Sequence, residues 1–113
     1  MKIISDSLPV QDLRQMAQSL FGNLVKAVVD VDRQVLAVDA ELHADLEALL
    51  LQSGSRQKDL WGINLYPDEP ADQFIEFDSM INVRPSENNR TRSIENEAVR
   101  TVITEIVGRR ISK

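Results

Sequence analysis

The sequence predicts an α+β fold, a two-layer α/β sandwich in which a mainly antiparallel sheet carries its helices on one face. Short β-branched segments alternate with helical segments in the order β-α-β-β-α-β-β-α. The predicted strands are polar on one side, which is typical of antiparallel sheets. The composition is that of a globular domain, because 42% of residues are apolar, 27% are charged, and there are only four Gly and four Pro.

Length and composition restrict the class of protein further. The 113 residues are enough for one domain, so residues 1–113 are expected to fold as a single unit. No Cys is present, which excludes disulfides and thiol chemistry and fits a reducing compartment. The chain has neither the apolar segment of a secretory signal nor an apolar stretch near the roughly 20 residues that span a bilayer. We therefore expect a cytoplasmic protein that does not enter membranes.

The first part of the chain contains one helix and three strands. Residues 2–5 form a candidate first strand. A proline opens the segment 9–21, whose apolar residues recur at helical spacing, and Gly22 supplies a left-handed stop. Residues 24–31 and 35–38 are rich in β-branched side chains and are separated by a three-residue turn. This spacing predicts a β-hairpin.

The middle of the chain contains a second helix and two further strands. Asp39 is a candidate N-cap, and the Leu residues of 42–52 recur at helical spacing before Gly54 ends the pattern. Residues 59–66 alternate between apolar and polar side chains and precede a Pro-rich turn. Residues 74–84 show the clearest alternation of all, which predicts a long fifth strand.

The last predicted helix begins after Ser93 and ends near Gly108. On the sheet face away from the helices, the pattern mixes polar and apolar side chains. A contiguous apolar group on an open sheet face often forms a subunit interface, so we expect a homodimer. The residues assigned to this face are Lys26, Val28, Leu36, Leu60, Asn64, Glu76, Asp78, Met80, Asn82 and Arg84.

The segment 84–93 is the most unusual part of the sequence. It holds three Arg side chains and several amides and hydroxyls just before a helix. A helix N-terminus offers free N–H groups, and Arg offers forked donors that fit phosphate or carboxylate, so the segment predicts a site for a small anionic ligand. The alternative is a solvated loop whose Arg side chains pair with nearby acids. The candidate binding residues are Arg84, Asn88, Asn89, Arg90 and Arg92.

A second group of candidates lies on the predicted second helix. Asp39, His43 and Glu47 follow one another at spacings of four, which could bring metal ligands onto one helical stripe. The alternative is that Asp39 caps the helix and His43 borders the core. No cofactor is predicted, because the glycine-rich nucleotide loops and the serine-nucleophile motif are absent from the sequence.

Three functions are compatible with these patterns. The first is a non-enzymatic binding or regulatory module, homodimeric, with 84–93 as its ligand-binding loop. The second is a small metal-dependent or acid–base enzyme that uses His43 with nearby carboxylates. The third is an acidic partner of a basic protein, which rests only on the net charge of −5. The same negative charge argues against general nucleic-acid binding.

Four segments also carry a family resemblance. They are Gly-Asn-Leu-Val-Lys-Ala-Val-Val-Asp (22–30), Glu-Leu-His-Ala-Asp-Leu-Glu (41–47), Asp-Leu-Trp-Gly-Ile-Asn-Leu-Tyr-Pro (59–67) and Ile-Asn-Val-Arg-Pro (81–85). In this order they resemble a small prokaryotic family catalogued only as a domain of unknown function. The resemblance implies one self-contained domain and supplies no activity, cofactor or catalytic residue. It also implies that Gly more often precedes the Asn-Arg pair, which in this chain is Asn89-Arg90. Here Asn88 occupies that position.

Overall fold

A five-stranded sheet organises the computed structural model, which describes residues 1–113. The elements are β1 (Lys2–Ile4), β2 (Leu8–Pro9), α1 (Val10–Ser19), β3 (Val25–Asp30), β4 (Val35–Val38), α2 (His43–Gln52), β5 (Leu60–Leu65), β6 (Ile75–Glu76), α3 (Glu97–Arg110) and β7 (Ile111–Ser112). The sheet order is β1-β4-β3-β5-β6 with every pair antiparallel, and β2 and β7 form a separate parallel pair. The predicted α+β class with an antiparallel sheet is confirmed.

Strand β3 is the centre of this sheet. It pairs with β4 to form the predicted hairpin and with β5 along its whole length, from Val25 opposite Leu65 to Asp30 opposite Leu60. Five of the six residues of β3 are buried, and the sixth, Lys26, is half-buried. Side chains on both faces of the strand therefore contact packed neighbours. No helix of the structure combines the length and the apolar character that crossing a bilayer requires.

The helices cover both faces of the sheet, which corrects the expectation that they gather on one. Leu13 of α1 and Ile103 of α3 belong to a core cluster with the β3 residues that point to one side. Leu46 and Leu50 of α2 belong to a second cluster with Val28, which points to the other side. Strands β3 and β4 carry apolar side chains on both faces of the sheet, so each face must be covered by a helix.

The arrangement also covers much of the sheet face on which a dimer interface was expected. Helix α2 occupies the sheet face that the sequence pattern left open, and it buries Val28 and Leu60. Leu36 points to the opposite face, into the core shared with α1 and α3. Asn64, Asn82 and Arg84 are buried as well. The homodimer stays a prediction, but this face no longer supports it.

The predicted strand 74–84 is wrong over most of its length. Only Ile75–Glu76 pairs as a strand, and residues 80–82 form a 3₁₀ turn in which the Ser79 hydroxyl accepts a hydrogen bond from the N–H of Ile81. The side-chain amide of Asn82 pairs with β5 instead. It accepts from the N–H of Gly62 at 2.8 Å and donates to the Gly62 carbonyl at 2.9 Å. The Asn82 amide therefore satisfies the backbone groups of Gly62 on the edge of β5 that a strand was expected to cover.

Several helix boundaries also differ from the pattern-based positions. Helix α1 ends two residues before the expected 9–21 segment does, and Gly22 then adopts the predicted left-handed backbone, with φ of 92°. Asp39 does not cap α2, because its backbone is left-handed and Leu42 occupies the N-cap position without a side-chain bond. At α3, the side chain of Asn96 replaces Ser93 as the cap.

Gly62 is tightly packed against a neighbouring turn, whereas Gly108 has open space around it. A Cβ on Gly62 would lie 2.5 Å from Cβ of Ser79 and 2.6 Å from its hydroxyl oxygen, so only glycine lets the 79–82 turn approach β5. A Cβ on Gly108 would meet no atom within 4 Å. Helix α3 continues past Gly108 to Arg110, which corrects the predicted end of the helix.

These environments predict stability changes of opposite sign. Gly62→Ala should lower the free energy of unfolding by about 1–3 kcal/mol, because the turn at Ser79 must move. Gly108→Ala should raise it by roughly 0.5–1 kcal/mol, because alanine loses less backbone entropy in a helix. Urea unfolding followed by circular dichroism measures both values. Equal effects of the two substitutions would contradict the packing described for Gly62.

Candidate functional site

Arg84 is the only buried Lys or Arg side chain in the structure, with 8% of its surface exposed. Its guanidinium carbon lies 3.9 Å from the centroid of the Trp61 ring, which gives a cation–π contact with β5. Its Nη1 group donates to the backbone carbonyl of Gln57 at 2.8 Å. The stacking and the hydrogen bond together fix the plane and the direction of the guanidinium.

The remaining edge of this guanidinium has no hydrogen-bond partner. Nε and Nη2 of Arg84 account for two of the four buried side-chain polar atoms that lack one. These two N–H groups form the fork with which Arg binds both oxygens of a carboxylate or phosphate. The nearest acid is Glu87, whose Oε2 lies 3.9 Å from Nε, beyond hydrogen-bond range. An oriented double donor is thus left unused in the folded chain.

The charges near Arg84 act in opposite directions. Burial lowers the pKa of Arg84, and the carboxylates of Glu87 and Glu47 raise it. Arginine begins so far above neutrality that the side chain stays protonated at physiological pH. The site is therefore a positive charge with two acidic neighbours.

The loop that carries Arg84 is held in shape by Asn89, whose side chain is 2% exposed. Its amide nitrogen lies 2.7 to 3.1 Å from three backbone carbonyls, and its amide oxygen accepts from the N–H of Glu95. The backbones of Arg84 and Asn89 also exchange two hydrogen bonds, at 2.7 and 3.1 Å. Asn89 therefore builds the loop, and its polar atoms already have partners within the chain.

The other predicted anion-binding groups are also engaged or exposed. Arg92 forms two hydrogen bonds with the carboxylate of Asp78, at 2.9 and 3.0 Å. The backbone N–H groups of Arg90 and Thr91 donate to the carboxylate of Glu95, and these bonds lower the pKa of that group. The Arg90 side chain faces solvent. Of the predicted residues, only Arg84 therefore presents a buried, unused donor edge.

The proposed metal ligands do not form one cluster. No group of three or more His, Cys, Asp or Glu residues is placed to hold a metal ion. Asp39 lies in a surface depression beside α1, and Glu47 lies one turn after His43 on α2. The Nε2 atom of His43 is 2.7 Å from the carbonyl oxygen of Ile63. Because a carbonyl only accepts, Nε2 carries the hydrogen and the ring borders the core, as the alternative interpretation expected.

Sequence reasoning missed the residues that orient Arg84. Trp61 and Gln57 lie in and before β5, far from Arg84 along the chain, and no spacing rule connects them. The only available signal was the single Trp of the chain, which lies in the predicted strand 59–66. Its role becomes visible only when the 79–82 turn brings Arg84 against β5.

Comparison with known proteins assigns nearly the whole chain to one family. A family model described as "Protein of unknown function (DUF5674)" matches residues 2–110. The chain belongs to the DUF5674 family. The matched region includes Trp61, Glu87 and Arg84 together with the three helices, and the resemblance to a domain of unknown function is confirmed. No curated protein and no solved structure matches the chain.

The backbone of Asn88 generates one prediction. Asn88 is left-handed, with φ of 63° and ψ of 24°, a conformation that Gly adopts freely and that Asn tolerates. Asn88→Ala should cost about 1 kcal/mol of unfolding free energy, and Asn88→Gly should change it by only a few tenths. Thermal or urea unfolding of the two variants measures the difference. Equal stability of the two variants would contradict a conformational requirement at this position.

The environment of His43 predicts a dependence of stability on pH. Burial lowers the pKa of His43 below 6.5, although its hydrogen bond to Ile63 opposes the shift. The unfolded chain therefore binds a proton that the folded chain does not, and stability should fall as pH decreases below 6.5. The slope due to this group is at most about 1.4 kcal/mol per pH unit.

The His43→Gln variant isolates this effect, because glutamine can still donate to the Ile63 carbonyl but does not titrate. Urea unfolding from about pH 7 to about pH 5.5 should give a flatter profile for the variant than for the wild type. Parallel profiles would show that His43 is as accessible to protons in the folded chain as in the unfolded one.

Proposed function

We propose that this protein is a non-enzymatic binding module that recognises a small oxyanion group through Arg84. The observation that carries the proposal is the buried Nε and Nη2 edge, which has no partner while the rest of the guanidinium is fixed. A ligand that meets a preorganised donor loses less free energy to ordering the protein. An unpaired buried N–H costs roughly 1–3 kcal/mol, and a bound oxyanion would recover part of it.

Glu87 supports access to this edge. Its side chain is 42% exposed and its Oε2 lies 3.9 Å from Nε, so the proposed binding requires Glu87 to rotate into solvent and give a ligand access to the fork. Glu87 also competes with the ligand, because its own carboxylate can close the 3.9 Å gap. Glu47 and Glu87 together disfavour a doubly charged ligand. A carboxylate is therefore preferred over a phosphate dianion.

An NMR titration with sodium acetate tests the proposal through the Nε–H signal of Arg84 and, in the variant that lacks this group, through the backbone N–H signals of residue 84 and Glu87. Wild-type protein should show a saturable shift of this signal. Arg84→Lys keeps the charge but removes the fork, and it should weaken binding by about tenfold or more, since hydrogen bonds to charged groups contribute roughly 1.5–3 kcal/mol. Arg90→Gln is the matched control, because it removes a charge from the same loop but leaves the buried edge intact.

Glu87→Gln keeps the test decisive if Arg84→Lys does not fold. Removal of the internal competitor should tighten acetate binding by about two- to fivefold, the effect of a partly exposed ion pair. Inorganic phosphate should bind more weakly than acetate. An unmoved Arg84 signal in the wild type and in Glu87→Gln would overturn the proposal, as would loss of binding in Arg90→Gln alone.

A further inference from the structure

A separate apolar groove lies between the C-terminal half of α3 and the segment that leads into β6. Its volume is about 370 Å³, within the range of about 300–1,000 Å³ that is usual for small-ligand sites. Ile75 pairs with Leu65 at the far end of β5 from Trp61, so the groove is distinct from the Arg84 site. Its apolar lining includes Phe74, Ile75, Val107 and Ile111.

Gly108 lines this groove from within a helix, where glycine is unfavourable. Its φ is not positive, so the backbone does not require glycine. A Cβ at this position would meet no atom within 4 Å, so packing within the chain does not require glycine either. The missing side chain instead widens the groove and exposes the helix backbone. Glycine at this position therefore leaves room for a molecule to approach α3 closely.

The charges around the groove indicate what kind of molecule fits. Lys113 supplies the only charged side chain of its lining, in a protein whose net charge is −5. The Lys113 ammonium lies 4.5 Å from the centroid of the Phe74 ring. The hydroxyl of Thr104 already donates to a backbone carbonyl of α3. An apolar surface with one cation at its rim complements an apolar body with one anionic group.

We infer that this groove binds a small amphipathic carboxylate. Its apolar body lies over Gly108, between Phe74 and Val107, and its carboxylate meets Lys113 at the rim. Glycine at 108 lowers the stability of α3 but leaves the space for the ligand open. The inference does not depend on the function proposed for Arg84, because it uses other residues and a ligand with an apolar body.

Phenylacetate is the probe, and uncharged phenylacetamide is its matched control. An NMR titration of the full chain should shift the amide signals of Gly108 and Ile111 saturably with phenylacetate. Phenylacetamide should bind about two- to fivefold more weakly, and Lys113→Gln should remove this preference, as expected for one exposed ion pair. Arg84→Lys should leave these shifts unchanged, which separates this groove from the Arg84 site.

Gly108→Leu should reduce phenylacetate affinity by about tenfold or more, because its side chain fills the space that the ligand needs. The variant should melt no lower than the wild type, so its loss of binding cannot be attributed to unfolding. Val102→Leu adds bulk to an exposed position of the same helix and is expected to bind normally. Absence of groove shifts, unchanged affinity in Gly108→Leu, or equal binding of the acid and the amide would each overturn the inference.

Discussion

The amide of Asn82 occupies the place beside Gly62 that a neighbouring strand would otherwise take, and the 77–93 region is arranged around that contact. The same amide nitrogen lies 3.0 Å from the carbonyl of Arg92, and the Asn82 carbonyl accepts from Asn89. Glycine at 62 is what allows the turn to come so close. Because Arg84 follows Asn82 by two residues, this contact also determines where the guanidinium meets Trp61.

Burial of Arg84 has a physical cost that the surrounding contacts offset only in part. Stacking on Trp61 and the bond to the Gln57 carbonyl replace some of the lost hydration, but Nε and Nη2 remain without partners. The other cations of the loop are placed differently. Arg92 is paired with Asp78. The side chain of Arg90 is exposed, and its backbone N–H donates to the Glu95 carboxylate. Arg84 is thus the one Arg of the loop whose buried donor groups lack a partner.

The two proposed sites lie toward opposite ends of β5 and differ in chemistry. Near Trp61, a fixed cation offers two parallel donors. Near Leu65, the groove beside Gly108 offers apolar surface with one cation at its rim. The sheet that joins them is packed on both faces, by α1 and α3 on one side and by α2 on the other. A sheet that is packed on both faces suits the proposed binding function, because it holds the residues of each site in place.

The sequence alone determined the elements whose signals are local. The hairpin from Val25 to Val38, helix α2 and strand β5 follow from periodicity within each segment. Arg84 was one of five candidates chosen from the chemistry of the 84–93 segment. Tertiary structure decided that most of 74–84 forms turns rather than a strand, because a buried Asn side chain pairs with Gly62. It also decided which face α2 covers and which Arg keeps a free edge. Periodicity reports the conformation of a segment, but hydrogen-bond and packing partners come from residues distant in the chain, where no spacing rule applies.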